Sequence, residues 1–177
     1  MQKQENAAHG GHLDVLKWAR EHHCPWNGVT CACAFNRGHM DVLMWAREHD
    51  CPWNDVMCAL ATAGGHLDIL KWAVEHDCPV HTDMQHSAAR NGHLHVLRWA
   101  LEQGWPLDPR VCVHAAAGRH LKVLKWALEQ GCRWGARTCA NIARVGCLDS
   151  LISVRRYKCP WDVMTCANAA RGGHLEC

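Results

Sequence analysis

Histidine and cysteine side chains cluster at regular places in the chain, and these residue types could support metal or haem chemistry. The chain has 15 His and 13 Cys, and three segments, 22–24, 49–51 and 76–78, each offer an imidazole and a thiol. Such ligands suit zinc. The cysteine of each segment is followed by proline, and this Cys-Pro dipeptide resembles haem-binding dipeptides. A closed zinc site, however, needs four ligands at about 2.0–2.3 Å from one ion.

The spacing of these segments argues against a metal or haem site. Equivalent residues are 27 positions apart, and helices that pack side by side place such residues about 8–10 Å from each other. One segment then supplies only two ligands, and no C-x-x-C motif adds to them. The same separation argues against a ladder of disulfides, which need Cα atoms within about 7 Å. We therefore predict no metal and no cofactor, and we interpret the cysteines as reduced thiols.

Enzymatic activity is not expected either. Catalytic groups are normally singular, whereas every candidate His, Cys, Asp or Glu here belongs to a position that is copied along the chain. The sequence has no Gly-rich phosphate loop and no nucleophile elbow. A net charge of +2 gives no strong basic or acidic field. The sequence thus predicts a protein that is not an enzyme.

A 27-residue repeat explains the copied positions. A Gly-His dipeptide or its equivalent recurs without any insertion, with its second residue at His12, His39, His66, His93, His120, Cys147 and His174. Tryptophan follows six residues later in five copies, and cysteine occupies two further positions of the repeat. Residues 1–177 are therefore predicted to form a single repeat array, with partial repeats at both ends.

Each repeat is predicted to contain two helices. The first covers segments such as 55–63 and 136–144, after an N-capping Asn54, Asp108 or Asp162, and closes at a glycine. The second starts near residues 12, 39, 66, 93, 120, 147 and 174, and in residues 67–76 has one broad apolar side. β-branched alternation is absent, so the predicted class is all-α: a helix-turn-helix solenoid of about six stacked repeats.

The tryptophans of the second helices are predicted to be buried between neighbouring repeats. One Trp side chain can bury about 150–250 Å². If Trp72 is buried in this way, replacement by Ala should cost about 3–5 kcal/mol.

The repeat resembles ankyrin repeats. Residues 91–104, Asn-Gly-His-Leu-His-Val-Leu-Arg-Trp-Ala-Leu-Glu-Gln-Gly, resemble the consensus N-G-H-L-E-V-V-K-L-L-L-E-x-G, and Ala88-Ala89 and His86 match further ankyrin positions. The period is about six residues shorter than that of ankyrin, and those residues normally build the β-hairpin finger. The sequence is similar to the shortened C-P-W-containing arrays of protists and large DNA viruses. The resemblance implies an ankyrin-like stack without fingers that binds a macromolecule and has no catalysis.

The first-helix positions that differ between repeats are candidates for partner binding. Fixed positions such as Met57, Cys58 and Ala61 fall on one side of the helix and are predicted to be core. The resemblance places the variable positions on the concave surface, although variation is equally expected where a side chain merely faces solvent. They are apolar in the first two repeats and polar or cationic later, which suits an amphipathic, partly acidic protein or peptide. The candidates are Leu60, Asp83, Ser87, Arg90, Arg110, His114, Arg137 and Asn141.

Three further expectations concern an alternative partner, the location of the protein and the end of the chain. Helical repeats can also bind RNA one base per repeat, but the variable positions carry no aromatic rings, so protein binding is favoured. No apolar run of about 18 residues and no apolar signal segment is present, which predicts a cytoplasmic or nuclear protein that is not secreted and has no membrane partner. The last helix stops after one turn, which predicts a fragment of a longer array or an end that self-associates.

Overall fold

The chain folds as a succession of short α-helices. The computed structural model describes all residues except 1, 25–27, 52–54, 81–82, 133–135, 147, 157, 159, 161 and 175–177. The described residues contain helices and no strand, which confirms the predicted all-α class. The helices are α1 (Gln2–His9), α2 (Leu13–Glu21), α3 (Gly28–Arg37), α4 (Met40–Glu48), α5 (Asp55–Gly64), α6 (Leu67–Glu75), α7 (Asp83–Asn91), α8 (Leu94–Glu102), α9 (Val111–Ala117), α10 (Leu121–Glu129), α11 (Ala136–Val145), α12 (Leu148–Arg156) and α13 (Val163–Arg171).

The helices form pairs, as the repeat predicts. Odd-numbered helices are the first helices of the pairs and even-numbered helices are the second. The predicted segments 55–63, 67–76 and 136–144 correspond to α5, α6 and α11 to within one residue. Within the described residues, no helix is long and apolar enough to cross a bilayer.

Each second helix ends on a residue with left-handed backbone. Six equivalent residues have φ between 55° and 80°: His23, Asp50, Asp77, Gly104, Gly131 and Lys158. After the first five of these, the next residue donates its backbone N–H to a carbonyl five residues earlier, as from Cys78 to Ala73 at 2.9 Å. This is the hydrogen bond of a Schellman cap, and it turns the chain sharply at the residue that follows the second helix, which is Cys78 in this example.

The chain divides into two compact units, residues 1–84 and 85–177. In the first unit, α1, α3 and α5 pack in order, and each packs against the second helix of its own pair. In the second unit, α9, α11 and α13 pack in order, and α10 packs against α12. Each unit therefore repeats the same packing of helix pairs.

The core of each unit consists of the fixed apolar positions. Met57, Cys58 and Ala61 are buried, as the helical spacing predicts. Ile69 and Leu70 of α6 are buried beside them in the first unit. The equivalent core of the second unit includes Val96, Leu97, Val111, Cys112, Val123, Leu124 and Ile142.

The tryptophans are less uniformly buried than predicted. Trp99 and Trp126 are 7% and 8% exposed, but Trp45 and Trp72 are only half-buried and Trp18 is 58% exposed. The prediction of a buried ladder is therefore wrong for Trp18 and only partly right for Trp45 and Trp72.

For Trp45 and Trp126, the preceding second helix contributes to the cover of the ring. Trp45 lies beside Lys17 and Arg20 of α2, and Trp126 lies beside Arg98 and Leu101 of α8. Trp18 lies on α2 itself, the first helix of this kind in the sequence, and its ring stacks on His22 at 4.0 Å.

Candidate functional site

Histidines of the Gly-His dipeptides have a structural role. In His39, His66 and His174, the Nε2 atom lies 3.0–3.2 Å from a carbonyl oxygen at the end of the preceding first helix, that of His9, Asn36 and Arg144 respectively. These carbonyls lack helical partners, so the imidazole satisfies them. The ring also fills the space beside a glycine of the preceding repeat, because a Cβ on Gly38 would lie 2.7 Å from the His66 ring.

The histidines of segments 22–24, 49–51 and 76–78 are likewise engaged within their own helices. The Nδ1 atoms of His22, His49 and His76 lie 2.8 Å from the carbonyl oxygens of Trp18, Trp45 and Trp72. Each imidazole also contacts the indole of the same tryptophan. In the part of the chain that the structure describes, no three His, Cys, Asp or Glu side chains are grouped to hold a metal ion.

The prediction of uniformly reduced cysteines is wrong. Cys31 and Cys51 form a disulfide with their Cα atoms 6.9 Å apart, and Cys139 is also disulfide-bonded. The expected separation of about 8–10 Å applies to equivalent cysteines of successive repeats. The observed disulfide instead joins two different repeat positions, 20 residues apart, within one helix pair.

We call the first-helix positions that differ between repeats the variable row. It consists of residues 29, 32, 33 and 36 and of the equivalent residues at intervals of 27 positions up to residue 144. In the first unit this row is apolar: Val29 and Val56 are 49% and 52% exposed, and Leu60 is half-buried. The candidate Asp83 lies at the start of α7 and is exposed.

In the second unit, residues of the variable row form a polar cluster with Asp108, which lies in the turn before α9; the cluster consists of His86, Asp108, Arg110 and His114. Helix α7 supplies His86, α9 supplies His114, and the turn before α9 supplies the other two residues. The Asp108 carboxylate accepts a hydrogen bond from Arg110 Nη2 at 3.0 Å and from the Arg110 backbone N–H at 2.7 Å. His86 Nε2 lies 3.1 Å from Asp108 Oδ2, and the His86 and His114 rings stack at 4.7 Å.

The charges of this polar cluster follow from its contacts. Hydrogen bonds from Arg110 lower the pKa of Asp108 to about 2, against the effect of burial. Burial lowers the pKa of His114, and the neighbouring His86, Arg90 and Arg110 lower it further. At neutral pH Asp108 is thus ionised and His114 neutral. The Arg110 side chain keeps 63% of its surface exposed while Asp108 holds it in place.

The structure brings only some of the predicted candidates together. Arg110 and His114 belong to the polar cluster, and Arg90 is exposed at the end of α7. Ser87 on α7 and Asn141 on α11 are half-buried. The side chain of Arg137 lies outside the described residues. Leu60 and Asp83 belong to the first unit.

Sequence reasoning missed Asp108 and His86 as members of the site. The prediction of Asp108 as the N-cap is wrong, because α9 begins at Val111 and Arg110 is its N-cap residue. Asp108 instead accepts the backbone N–H of Arg110 in the turn before the helix. The Asp-x-Arg spacing is the signal that could have identified the ion pair, because an Asp that closes such a turn lies next to the side chain of the third residue. The contact with His86 depends on the packing of α7 against the turn, and no local spacing predicts it.

Comparison with protein-family models finds no match for this chain. Comparison with curated proteins finds no similar sequence either.

Proposed function

We propose that this chain is an interaction scaffold, an ankyrin-like stack of shortened repeats that binds a protein or peptide on its first helices. The observation that carries the proposal is the division of the first helices into two sides. Met57, Cys58 and Ala61 are buried on one side, whereas most positions of the variable row are half or fully exposed. A surface that varies on a constant core is the arrangement by which repeat proteins acquire different partners.

The chemistry of the second unit favours an acidic partner. Arg90 is exposed, and the exposed guanidinium of Arg110 is held by two hydrogen bonds to Asp108. A side chain that is already fixed loses less conformational entropy when a carboxylate binds to it. The apolar part of the variable row in the first unit, with Val56 and Leu60, suits the apolar residues of the same kind of partner.

The test is selection of peptides from a display library on the purified protein, followed by measurement of their Kd values. The double variant Arg90→Gln with Arg110→Gln should weaken the binding of the selected acidic peptides roughly 2- to 30-fold at low salt. Each exposed charge contributes about 0.2–1 kcal/mol, and about 1.4 kcal/mol corresponds to a tenfold change. High salt should reduce the difference, because these charges face solvent.

The matched control is Arg98→Gln with Arg156→Gln, which removes the same charge from two exposed residues of second helices. The control should bind the selected peptides like the unchanged protein. Equal weakening by both double variants would contradict the proposed surface. Tight binding of RNA that is lost in the Arg90 and Arg110 variant would instead favour nucleic acid as the partner.

We also propose that the scaffold acts in the cytoplasm or nucleus. Several described cysteines are free thiols, among them Cys24, Cys33 and Cys112, and these compartments keep most thiols reduced. Microscopy of the tagged chain in its source cells checks this, and accumulation in a secretory compartment would contradict it.

A further inference from the structure

The cysteines of the first unit lie in pairs that join two different positions of the repeat. Cys31 on α3 is bonded to Cys51, which follows α4. In the next helix pair, Cys58 on α5 donates a hydrogen bond to Cys78, which follows α6, with the two sulfurs 2.8 Å apart. All four residues are buried, and in both pairs the cysteines are 20 positions apart.

The second unit repeats this arrangement. The thiol of Cys112 on α9 donates a hydrogen bond to Cys132, which follows α10. Cys139 on α11 is disulfide-bonded. The sequence has Cys159 a further 20 positions along, a residue that lies outside the described part of the chain.

The helix pair α7 and α8 has neither of the two cysteines. At the equivalent positions it has Gln85 and Trp105. Gln85 Nε2 donates to the Pro106 carbonyl and Gln85 Oε1 accepts from the Asp108 N–H, each at 2.9 Å. The amide thus makes the same connection, from the first helix to the segment after the second, with hydrogen bonds. From α3 onwards both positions carry a thiol or neither does, whereas the first helix pair has Gln4 and Cys24. The joint replacement at Gln85 and Trp105 indicates that the two positions act as a pair.

We propose that the paired cysteines form a reversible oxidation site in the helix pairs that have both of them: Cys58 with Cys78, and Cys112 with Cys132, are dithiols that become disulfides like Cys31–Cys51. The co-reactant class is a low-molecular-weight disulfide such as oxidised glutathione. Each disulfide then ties a first helix to the segment after its own second helix.

The exchange begins at Cys132. This residue is half-buried, whereas Cys112 is fully buried. The hydrogen bond that Cys112 donates lowers the pKa of Cys132 and raises that of Cys112. The more exposed sulfur is therefore also the better thiolate, which is the species that attacks a disulfide.

The two steps balance. The Cys132 thiolate attacks one sulfur of oxidised glutathione, which forms a mixed disulfide and releases one glutathione thiolate. That thiolate takes up the proton that Cys112 loses. The Cys112 sulfur then attacks Cys132 Sγ, and the second glutathione leaves as a thiolate that is protonated by solvent. Two protein thiols are oxidised, and one glutathione disulfide is reduced to two thiols.

The two pairs should react at different rates. Cys58 and Cys78 are 1% and 4% exposed, so an oxidant reaches them only after local opening. Cys132 is accessible without such opening. We expect the Cys112–Cys132 disulfide to form first, and the Cys58–Cys78 disulfide to form more slowly.

The experiment uses the purified full chain, freed of metal, reduced, and then transferred to glutathione buffers of increasing oxidised fraction. Free thiols are trapped by alkylation at timed points, and linked peptides are identified by mass spectrometry. The expected linkages are Cys31–Cys51, Cys58–Cys78 and Cys112–Cys132, and each should disappear on reduction. Cys132→Ser should abolish only its own linkage, and Cys33→Ser, which removes an unpaired thiol, should abolish none.

A gain of linkage tests the pairing directly. The double variant Gln85→Cys with Trp105→Cys should acquire one additional disulfide, and neither single variant should do so. Circular dichroism under reducing conditions establishes that each variant is folded. Mixed linkages that include Cys33 or Cys166 would overturn the proposal. It would equally fall if Cys112 and Cys132 were still alkylated under conditions that fully form Cys31–Cys51.

Oxidation at Cys132 has a direct route to the polar cluster. Cys132 Sγ donates a hydrogen bond to the carbonyl oxygen of Pro109 at 3.5 Å, and Pro109 lies between Asp108 and Arg110 in the sequence. Disulfide formation removes the thiol proton, and with it this hydrogen bond. We therefore expect selected acidic peptides to bind the reduced and oxidised proteins with different Kd values. This consequence rests on the proposed function. Equal Kd values would overturn the coupling alone, because the linkages are measured without any peptide.

Discussion

Glycines with positive φ perform two separable tasks in this chain. Gly131 has φ of 78°, and apart from its chain neighbours no group of the described residues lies within 4 Å of the place where a Cβ would be. Gly92 has φ of 82°, but there a Cβ would lie 2.5 Å from the His120 ring. Backbone conformation alone selects the first glycine, whereas the second must also leave room for the histidine of the next repeat.

We expect Gly92→Ala to be more destabilising than Gly131→Ala. Gly131→Ala should cost about 1–2 kcal/mol, because it places a Cβ in the left-handed region. Gly92→Ala should cost about 1–3 kcal/mol more, because the His120 ring must move. Urea unfolding of both variants measures the difference, and equal losses would contradict the packing role of the Gly-His dipeptide.

At the scale of the element, a neighbouring second helix contributes to the burial of a tryptophan, as α2 does for Trp45 and α8 for Trp126. The exposure of a ring therefore depends on its neighbours and not only on the sequence of its own helix. Trp18 and Trp126 stand at the same place in nearly identical helices, LDVLKWARE and LKVLKWALE, yet they are 58% and 8% exposed.

The two tryptophans should consequently differ in their contribution to stability. Trp126→Ala should cost about 3–5 kcal/mol, as expected for a large buried side chain. Trp18→Ala should cost no more than about half of that, because the loss scales with the apolar area that is buried. Thermal unfolding of the two variants provides the measurement. A loss for Trp18→Ala as large as that for Trp126→Ala would show that covering by the preceding helix is not the cause.

At the scale of the whole molecule, α13 exposes two large apolar side chains. Val163 and Met164 are 82% and 52% exposed. We expect the protein to associate as its concentration rises, because burial of these side chains is favourable. The double variant Val163→Lys with Met164→Lys should reduce association in sedimentation experiments. A control, Val15→Lys with Met44→Lys, alters exposed apolar residues of the second helices. Unchanged monomer at high concentration in all three proteins would contradict the expectation.

The sequence by itself determined the helices and their fixed sides. Helix type, helix ends and the buried side of α5, with Met57 and Ala61, follow from interactions within four or five residues. A period without insertions displays these interactions several times over. For the same reason, the sequence identified Arg110 and His114 as variable positions of the first helix.

Only the tertiary structure decided which chemical groups meet. The distance between Cys31 and Cys51 depends on how the end of α4 turns back towards α3, and the contact of His86 with Asp108 depends on how α7 packs against the next turn. A repeat shows which residues are equivalent, but equivalent residues are not those that touch. The cysteines that looked like widely spaced copies are therefore partners across two different positions of the repeat.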